Sequence, residues 1–583
     1  MHDYDPLAIE ARWQREWDAA RLFEPKREEG RRKFFIIFAY PGISGFLHVG
    51  HMRGYSYCDA IARYHRQLGE NVLFPAGFHA SGIPAVSFAR KVERGDEVAL
   101  STLREEGVDE ATVAGLKDPA FVVSFFSKVY EERYWRKFGF SIDYTRLCTT
   151  TDAAYGRFIA WQFRKLNEKG LLVQKPHFAP FCPVSGPVAV DASETDVAKG
   201  GDAEVLQFTA LKFRTEEGVV FPCATLRPET VFGATNLWVN PAVEYVLADV
   251  KGERWVLSPE AAKKADLIFE GGAKAVGRLA GRDLVGKSAR APLTGRAVRV
   301  FPSSFVDPAV ATGVVMSVPG HAPYDFAALE ELRRHPAGVD AALLDGVLPV
   351  VIVRAPGSAP EGTSPAEAAV RAHKVASTAD REALDKATQD VYTLEFHQGR
   401  MLENTGAFAG MLCSEAREKL VRESAEVGLS AAFPEFSKEV VCRCGQQVLI
   451  KRIPDQWFIR YSDEELTRAA AAHAGTMEVT PAEYARDLPS TLRWFADRAC
   501  IRQGAWLGTR FPLDERWVIE PISDSTLYPA FYIVSPYVNS GALPPEALTE
   551  AFFDYVFLGR GEAPRRSPKG RNKCLLNVPK KRF

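Results

Sequence analysis

Net charge, long apolar runs and an ordered set of cysteines are what this 583-residue sequence has least of. A formal charge of −1 gives no global pull toward nucleic acid, so any nucleic-acid surface has to be local. No apolar stretch suits a membrane span, and Met1-His-Asp-Tyr-Asp-Pro6 leads into Glu, Arg and Trp rather than a signal-peptide core. A cytoplasmic protein with no membrane partner is expected. Nine scattered cysteines do not make a disulfide framework, so reduced thiols are expected. No internal repeat is visible.

What is present is an ordinary globular composition, 46% apolar and 25% charged. A chain this long should divide into about three or four domains. Ile9, Trp13 and Trp17, spaced four apart, predict a packing helix near the start. The organising stretch follows, Phe34-Phe-Ile-Ile-Phe-Ala-Tyr-Pro-Gly-Ile-Ser-Gly-Phe-Leu-His-Val-Gly-His51. It reads as a buried parallel strand turning into a helix, with His48, Gly50 and His51 at the join. A helix N-terminus attracts anions, the two histidines add donors, and Gly50 would let an adenine approach the backbone. Asn71-Val-Leu-Phe-Pro75 then gives a second strand, ending in a loop with His79, Ser81 and Gly82. Strand, helix, strand and polar loop is the geometry of a nucleotide-binding α/β sheet.

Beyond residue 204 the pattern becomes β-rich and carries two polar clusters, Thr225-Leu-Arg-Pro-Glu-Thr230 and Gly313-Val-Val-Met-Ser-Val-Pro-Gly-His-Ala-Pro-Tyr-Asp325. Hydroxyls and Arg227 opposite His321 and Asp325 would suit holding a water or a substrate ammonium. The alternative is a capping threonine and a surface aspartate. Farther on, Cys442-Arg-Cys444 forms a turn that would suit zinc, with Cys182 as a further ligand; a metal-free turn is the alternative.

The chain resembles class I aminoacyl-tRNA synthetases, most closely leucyl-tRNA synthetases of the archaeal and eukaryotic type. The resemblance is carried by Phe38-Ala-Tyr-Pro…Ser44-Gly-x-Leu-His-Val-Gly-His51, Asn71-Val-Leu-Phe-Pro…His79-x-x-Gly-x-Pro84 and Phe138-Gly-x-Ser-Ile-Asp-Tyr144, in the family's order. It implies an α/β fold: a Rossmann-like catalytic domain, incomplete at its C-terminal end, with an inserted β-rich editing domain. Residues 1–175 would form the first half of the catalytic domain, 176–203 a linker or zinc ribbon, and 204–430 the editing domain. Residues 431–458 would be the return linker, 459–558 the start of the second half, and 559–583 a divergent basic tail.

The resemblance further implies ATP as substrate with Mg²⁺, and leucine and tRNA(Leu) as partners. His48 and His51 would contact the ATP phosphates and Gly50 the adenine, with Tyr40, His79 and Ser525 near the amino acid. In the editing domain Asp325 would bind the amino group of a misplaced amino acid and Thr230 would crowd out leucine, with Thr225 and Arg227 beside them. No side chain there looks like a nucleophile, so water attack is expected. Proofreading is needed because one methylene is worth only about 1–3 kcal/mol in an apolar pocket.

Two departures from the family stand out. Gly42 replaces an aromatic residue usual beside the amino-acid pocket. The resemblance also stops near residue 558, before any Lys-Met-Ser-Lys-Ser loop. A fragment, a frameshifted product or one piece of a split enzyme with a separately encoded C-terminal piece is expected, its synthetic activity impaired. A stand-alone deacylase and a non-catalytic tRNA-binding paralogue are the rival expectations.

Overall fold

The computed structural model describes residues 5–26, 28, 30–190, 195–196, 202–357 and 359–562; the remaining tail, read above as basic, lies outside them. Helix α1 (Pro6–Ala19) starts where Asp5 accepts from the Ala8 N–H at 3.1 Å and Pro6 supplies a preset φ. It has no buried residue, and Trp13 is 44% exposed. The expected packing helix is therefore a surface helix, anchored by half-buried Trp17 against Phe23 and under Arg63.

Strand β1 (Lys33–Phe35) and strand β2 (Asn71–Leu73) pair in parallel, Lys33 opposite Asn71, with helix α2 (Val49–Gln67) crossing between them. Instead of the buried strand expected, β1 is outward-facing, with Phe35 48% exposed. Burial begins after it, at Tyr40 and Ile43, where the chain has left the sheet for the loop leading into α2. That loop is gripped from outside. The aromatic helix Pro119–Val129 widens into a π-helix over Tyr130–Arg136, and Tyr130 donates its hydroxyl to the carbonyls of Gly45 (2.5 Å) and Gly42 (3.2 Å). Trp135 stacks on Phe78 at 5.1 Å, so one helix end braces the loops after both strands.

Strand β3 (Leu172–Cys182) pairs antiparallel with Gln447–Ile459, from Leu172 opposite Ile459 to Phe181 opposite Leu449. This ribbon joins the body of the molecule to a large insertion. Among the described residues the insertion is built on a ten-stranded mixed sheet. Its centre is Val205–Arg214, flanked by Val219–Thr225 and by the closing strand Ser430–Phe436. Alternating Val, Phe and Leu side chains such as Leu211, Phe213, Phe221 and Leu237 fill its core. The insertion enters and leaves at one point: Ser437 N–H donates to Glu204 O at 2.9 Å, and Glu204 N–H to Ser437 Oγ at 3.0 Å.

After the ribbon, the short helices Pro521–Asp524, Tyr528–Phe531 and Glu550–Leu558 pack back on the helix Ala153–Glu168. Phe158 and Trp161 meet Phe553 and Phe557 at 5.2–5.7 Å. A fully buried phenylalanine is worth about 1.5–3 kcal/mol, and Tyr155 on the same helix donates its hydroxyl to Asp524 O at 2.7 Å, tying the segment around 524 to it. No helix among the described residues is long and apolar enough to cross a membrane.

Candidate functional site

His48 is the N-cap of α2. Its Nδ1 accepts from the Gly50 N–H at 3.1 Å, and His51 Nδ1 accepts from the His48 N–H at 3.4 Å. With each Nδ1 used as an acceptor, the ring proton of each neutral imidazole sits on Nε2, leaving two N–H donors beside the helix end. The rings lie 4.0 Å apart. Burial, then His48 beside it, lowers the pKa of His51 and favours that neutral form. At Gly50 a Cβ would lie 2.9 Å from the His48 ring, so the glycine is needed for the cap itself. The result is a donor-rich helix N-terminus suited to phosphate.

The loop before α2 is stitched to His79: Ile43 N–H donates to His79 O at 3.1 Å, and His79 N–H to Pro41 O at 3.0 Å. Gly42 is exposed there, and a Cβ on it would meet nothing within 4 Å, so its missing side chain leaves open space beside His79. Tyr40 packs on Tyr528 at 4.1 Å, and its hydroxyl lies 3.0 Å from Cys148 Sγ. Gly77 makes room for that ring, since a Cβ there would run into it and lie 2.7 Å from Cys148 O. Ser525, expected near the amino acid, donates its hydroxyl to Pro521 O at 2.7 Å and so serves its own turn.

The group that faces His79 is Asp524. It is fully buried, and Oδ1 lies 3.7 Å from His79 Nε2, which is itself 3.1 Å from Pro521 O. Neither carboxylate oxygen has a hydrogen-bond partner at normal geometry, and the polar side chains that act on it are His79 and Ser81. Burial raises the Asp524 pKa in spite of His79. Burial alone would lower His79, but Asp524 more than offsets it and raises the pKa of the ring. A buried carboxylate left short of donors is a place for a cation.

In the insertion, Thr225 Oγ1 accepts from the Arg227 N–H at 3.0 Å, and Thr230 donates to Arg227 O at 2.7 Å. Arg227 is buried, its Nε on Glu229 at 2.9 Å and its Nη1 on Glu395 at 2.7 Å. Burial would lower its pKa, but Glu395 and then Glu229 raise it, so the guanidinium stays charged. Asp325, in the first turn of Pro323–Arg334, is buried rather than a surface aspartate. Its Oδ1 accepts from Trp238 Nε1 at 3.1 Å and its Oδ2 from the Val318 N–H at 2.7 Å. Burial, only partly offset by these donors, raises its carboxyl to about 7.

His321 Nε2 accepts from the Ile352 N–H at 2.9 Å, and Nδ1 lies 2.6 Å from Glu395 Oε1. The proton is then on Nδ1 and no ring nitrogen is left to act as a base. Cys413, beside Arg227, is pushed up to about 12 by burial and is no thiolate nucleophile. Glu229 and Glu395 both pair with the one guanidinium, while Asp325 is held apart by Trp238 and the Val318 N–H.

Cys182, Cys442 and Cys444 come together at the root of the insertion, with all sulfurs within 4.8 Å of one another. Cys182 and Cys444 Sγ are 3.4 Å apart. Ser185 completes the group: its N–H points to Cys182 Sγ at 3.4 Å, and its Oγ lies 3.5 Å from Cys442 Sγ. Three thiols this close would supply three of the four ligands of a tetrahedral zinc site, and the Ser185 hydroxyl stands beside them.

A family model described as tRNA synthetases class I (I, L, M and V) matches residues 12–525. The chain belongs to that family. Leucine--tRNA ligase of Archaeoglobus fulgidus is 42% identical over 563 residues, covering 95% of this chain and 59% of the relative. Its counterpart from Aeropyrum pernix is 42% identical over 581 residues, covering 97% and 60%. The chain thus spans about three-fifths of the length of these curated relatives. A solved structure titled "The crystal structure of GlLeuRS-CP1" aligns with 39% of this chain and 98% of its own at 24% identity, with a TM-score of 0.34.

Class I synthetases use ATP, generally with Mg²⁺, and in this chain the capped start of α2 presents two ring N–H donors beside a helix end. Two buried carboxylates at these candidate sites, Asp524 and Glu395, were not expected from the sequence. Asp524 lies next to Ser525 in the sequence, between two serines. Glu395 had only one signal, its place on the apolar stripe of a helix.

Proposed function

We propose that this chain carries the chemistry of leucyl-tRNA synthesis and proofreading in two separate sites. Residues 1–175 would be the first half of the catalytic domain and 459–558 the start of its second half, and the insertion, whose sheet runs on through Ser430–Phe436, the editing domain. In the first site the leucine carboxylate attacks the α-phosphorus of ATP, the bond to pyrophosphate breaks, and a terminal ribose hydroxyl of tRNA(Leu) then takes the leucyl group as AMP leaves. His48 and His51 donate to phosphate oxygens from the end of α2, while Gly50 allows the cap and the approach of the nucleotide. Bound Mg²⁺ would neutralise phosphate charge. Asp524 beside His79 receives the α-ammonium, with Tyr40 in the wall and Ser525 holding the turn.

The observation that carries this assignment is the buried, donor-starved carboxylate of Asp524, one β-bridge partner from the loop that enters α2. The choice of leucine is supported by the names of the relatives. In the insertion, water adds to the ester carbonyl of a mischarged aminoacyl-tRNA and the tRNA hydroxyl leaves. Asp325 holds the ammonium, and Thr225, Thr230 and Arg227 shape the wall. A cytoplasmic setting suits these substrates.

Pyrophosphate exchange with leucine, isoleucine and valine, run on the chain alone and with any separately encoded C-terminal piece, tests the synthetic half. Hydrolysis of isoleucyl-tRNA(Leu) tests the other. Exchange with leucine in neither arm would overturn the first assignment; stable isoleucyl-tRNA would overturn the second.

Zinc at Cys182, Cys442 and Cys444 would pin the two ends of the insertion together. The purified chain is expected to hold about one zinc per molecule by elemental analysis, lost in Cys442→Ala, and to give it up to a chelator more slowly in Ser185→Cys, as a fourth thiolate binds better than a hydroxyl. A metal-free wild-type chain that takes up no added zinc would refute the site.

A further inference from the structure

The helix Arg381–Gln398 buries Leu384, Ala387, Val391 and Glu395 along one stripe. The last of these is a carboxylate where a leucine would pack, and it is fully buried. Burying an ion pair rarely stabilises a fold more than an apolar residue would, so stability alone is a poor reason for Glu395. Its two oxygens are both used across the structure: Oε2 takes Arg227 Nη1 at 2.7 Å and Oε1 takes His321 Nδ1 at 2.6 Å. One turn earlier on the same helix, the Tyr392 ring lies 4.7 Å from the Arg227 guanidinium.

Both partners of Glu395 control backbone that carries candidate site residues. Arg227 accepts the Thr230 hydroxyl on its carbonyl and gives its own N–H to Thr225 Oγ1, so holding its side chain sets the turn between the two threonines. His321 N–H closes on Val318 O at 2.9 Å, and Val318 N–H is the donor on Asp325 Oδ2. The ring is locked from its other side by the Ile352 N–H.

We propose that Glu395 is a positioning residue of the hydrolytic site, holding Arg227 and the neutral Nδ1–H form of His321 so that the Thr225–Thr230 turn and the Asp325 turn face each other in register. This role rests on the assignment of hydrolysis to the insertion. Glu395 touches no substrate; it acts through the two side chains that it joins. Its amide analogue would present Arg227 or His321 with an N–H in place of an oxygen, and the joint would open on one side.

The test is isoleucyl-tRNA(Leu) hydrolysis by the full chain, wild type, Glu395→Gln and Glu395→Asp. Glu395→Gln is expected to lower kcat about 10- to 100-fold with KM changed less than about threefold, since misplacing wall groups by about 1 Å costs that much. Glu395→Asp is expected to restore part of the loss, and the thermal midpoints should not track the rates. A kcat for Glu395→Gln within about twofold of wild type would overturn the proposal, as would a loss equal in Gln and Asp and parallel to unfolding. Wild-type chain without hydrolysis would overturn the hydrolytic assignment and this role with it. Histidine ¹⁵N spectra of the wild-type chain report the joint independently: His321 should show a protonated Nδ1 and a bare Nε2, and an Nε2–H form or an imidazolium would overturn the proposal even if the variants fail to fold.

Discussion

Asp524→Asn should weaken binding of a non-hydrolysable leucyl-adenylate analogue by about 100-fold, measured by titration calorimetry on the full chain. Removing one partner of a buried charge pair typically costs about 2–5 kcal/mol, and about 1.4 kcal/mol is a factor of ten. Asp524 is fully buried, neither oxygen is hydrogen-bonded, and the basic side chain facing it is His79, 3.7 Å away. An ammonium entering there gains a carboxylate that has already been desolvated by folding. The contrast is Ser525→Ala: its hydroxyl is spent on Pro521 O, so the analogue should bind almost as to wild type. An Asp524→Asn dissociation constant within about threefold of wild type would remove Asp524 from the amino-acid site.

Asp325→Ala should lower isoleucyl-tRNA(Leu) hydrolysis by about 100-fold or more while leaving binding of the adenylate analogue unchanged. The carboxylate is the group placed to hold the substrate ammonium, and a charge-assisted bond lost from a buried site is worth several factors of ten. Hydrolysis that persists in this variant would place the chemistry elsewhere. The same side chain leaves a mark on stability. An unfolded aspartate ionises near 4, whereas folded Asp325 ionises at about 7. Between those values the folded chain holds a proton that the unfolded chain lacks, so stability falls as pH rises through that window, by up to about 1.4 kcal/mol per unit. Below about 4 the contribution is fully present, and above about 7 it is gone. Urea unfolding at pH 5 and pH 7.5 should show wild type losing stability relative to Asp325→Asn; parallel behaviour would mean that the carboxyl is not held in a buried, proton-retaining site.

The start of α2 was legible because a cap is a local device: His48, Gly50 and His51 are three residues apart and satisfy one another. The β-rich insertion was legible from its alternating strands. What could not be read depends on residues far apart in sequence. Asp524 matters only because folding sets it against His79, and nothing in Ser523-Asp-Ser525 says which of the three faces inward. Glu395 meets Arg227 from the far end of the insertion, on a helix whose polar composition resembles a surface helix. Ile9 and Trp13 mislead for the opposite reason: their spacing is helical, but among the described residues both stay exposed. The buried strand expected in the stretch that opens at Phe34 is short and outward-facing because the chain leaves the sheet after Phe35 to build the loop that Tyr130 grips.

The meeting of Glu204 and Ser437 makes the insertion a closed module within the chain. Their mutual hydrogen bonds bring the ends of the insertion as close as the two sides of a tight hairpin. To the strands on either side, residues 205–436 then count as a short turn, and the closure entropy of so long a loop, which grows with the logarithm of its length, is met inside the insertion's own folding. The ribosome delivers that module whole before it delivers Gln447–Ile459, the partner of β3. The insertion can therefore fold first and hand β3 a neighbour already within reach, while β3 waits as an unpaired edge for as long as the insertion takes to be made.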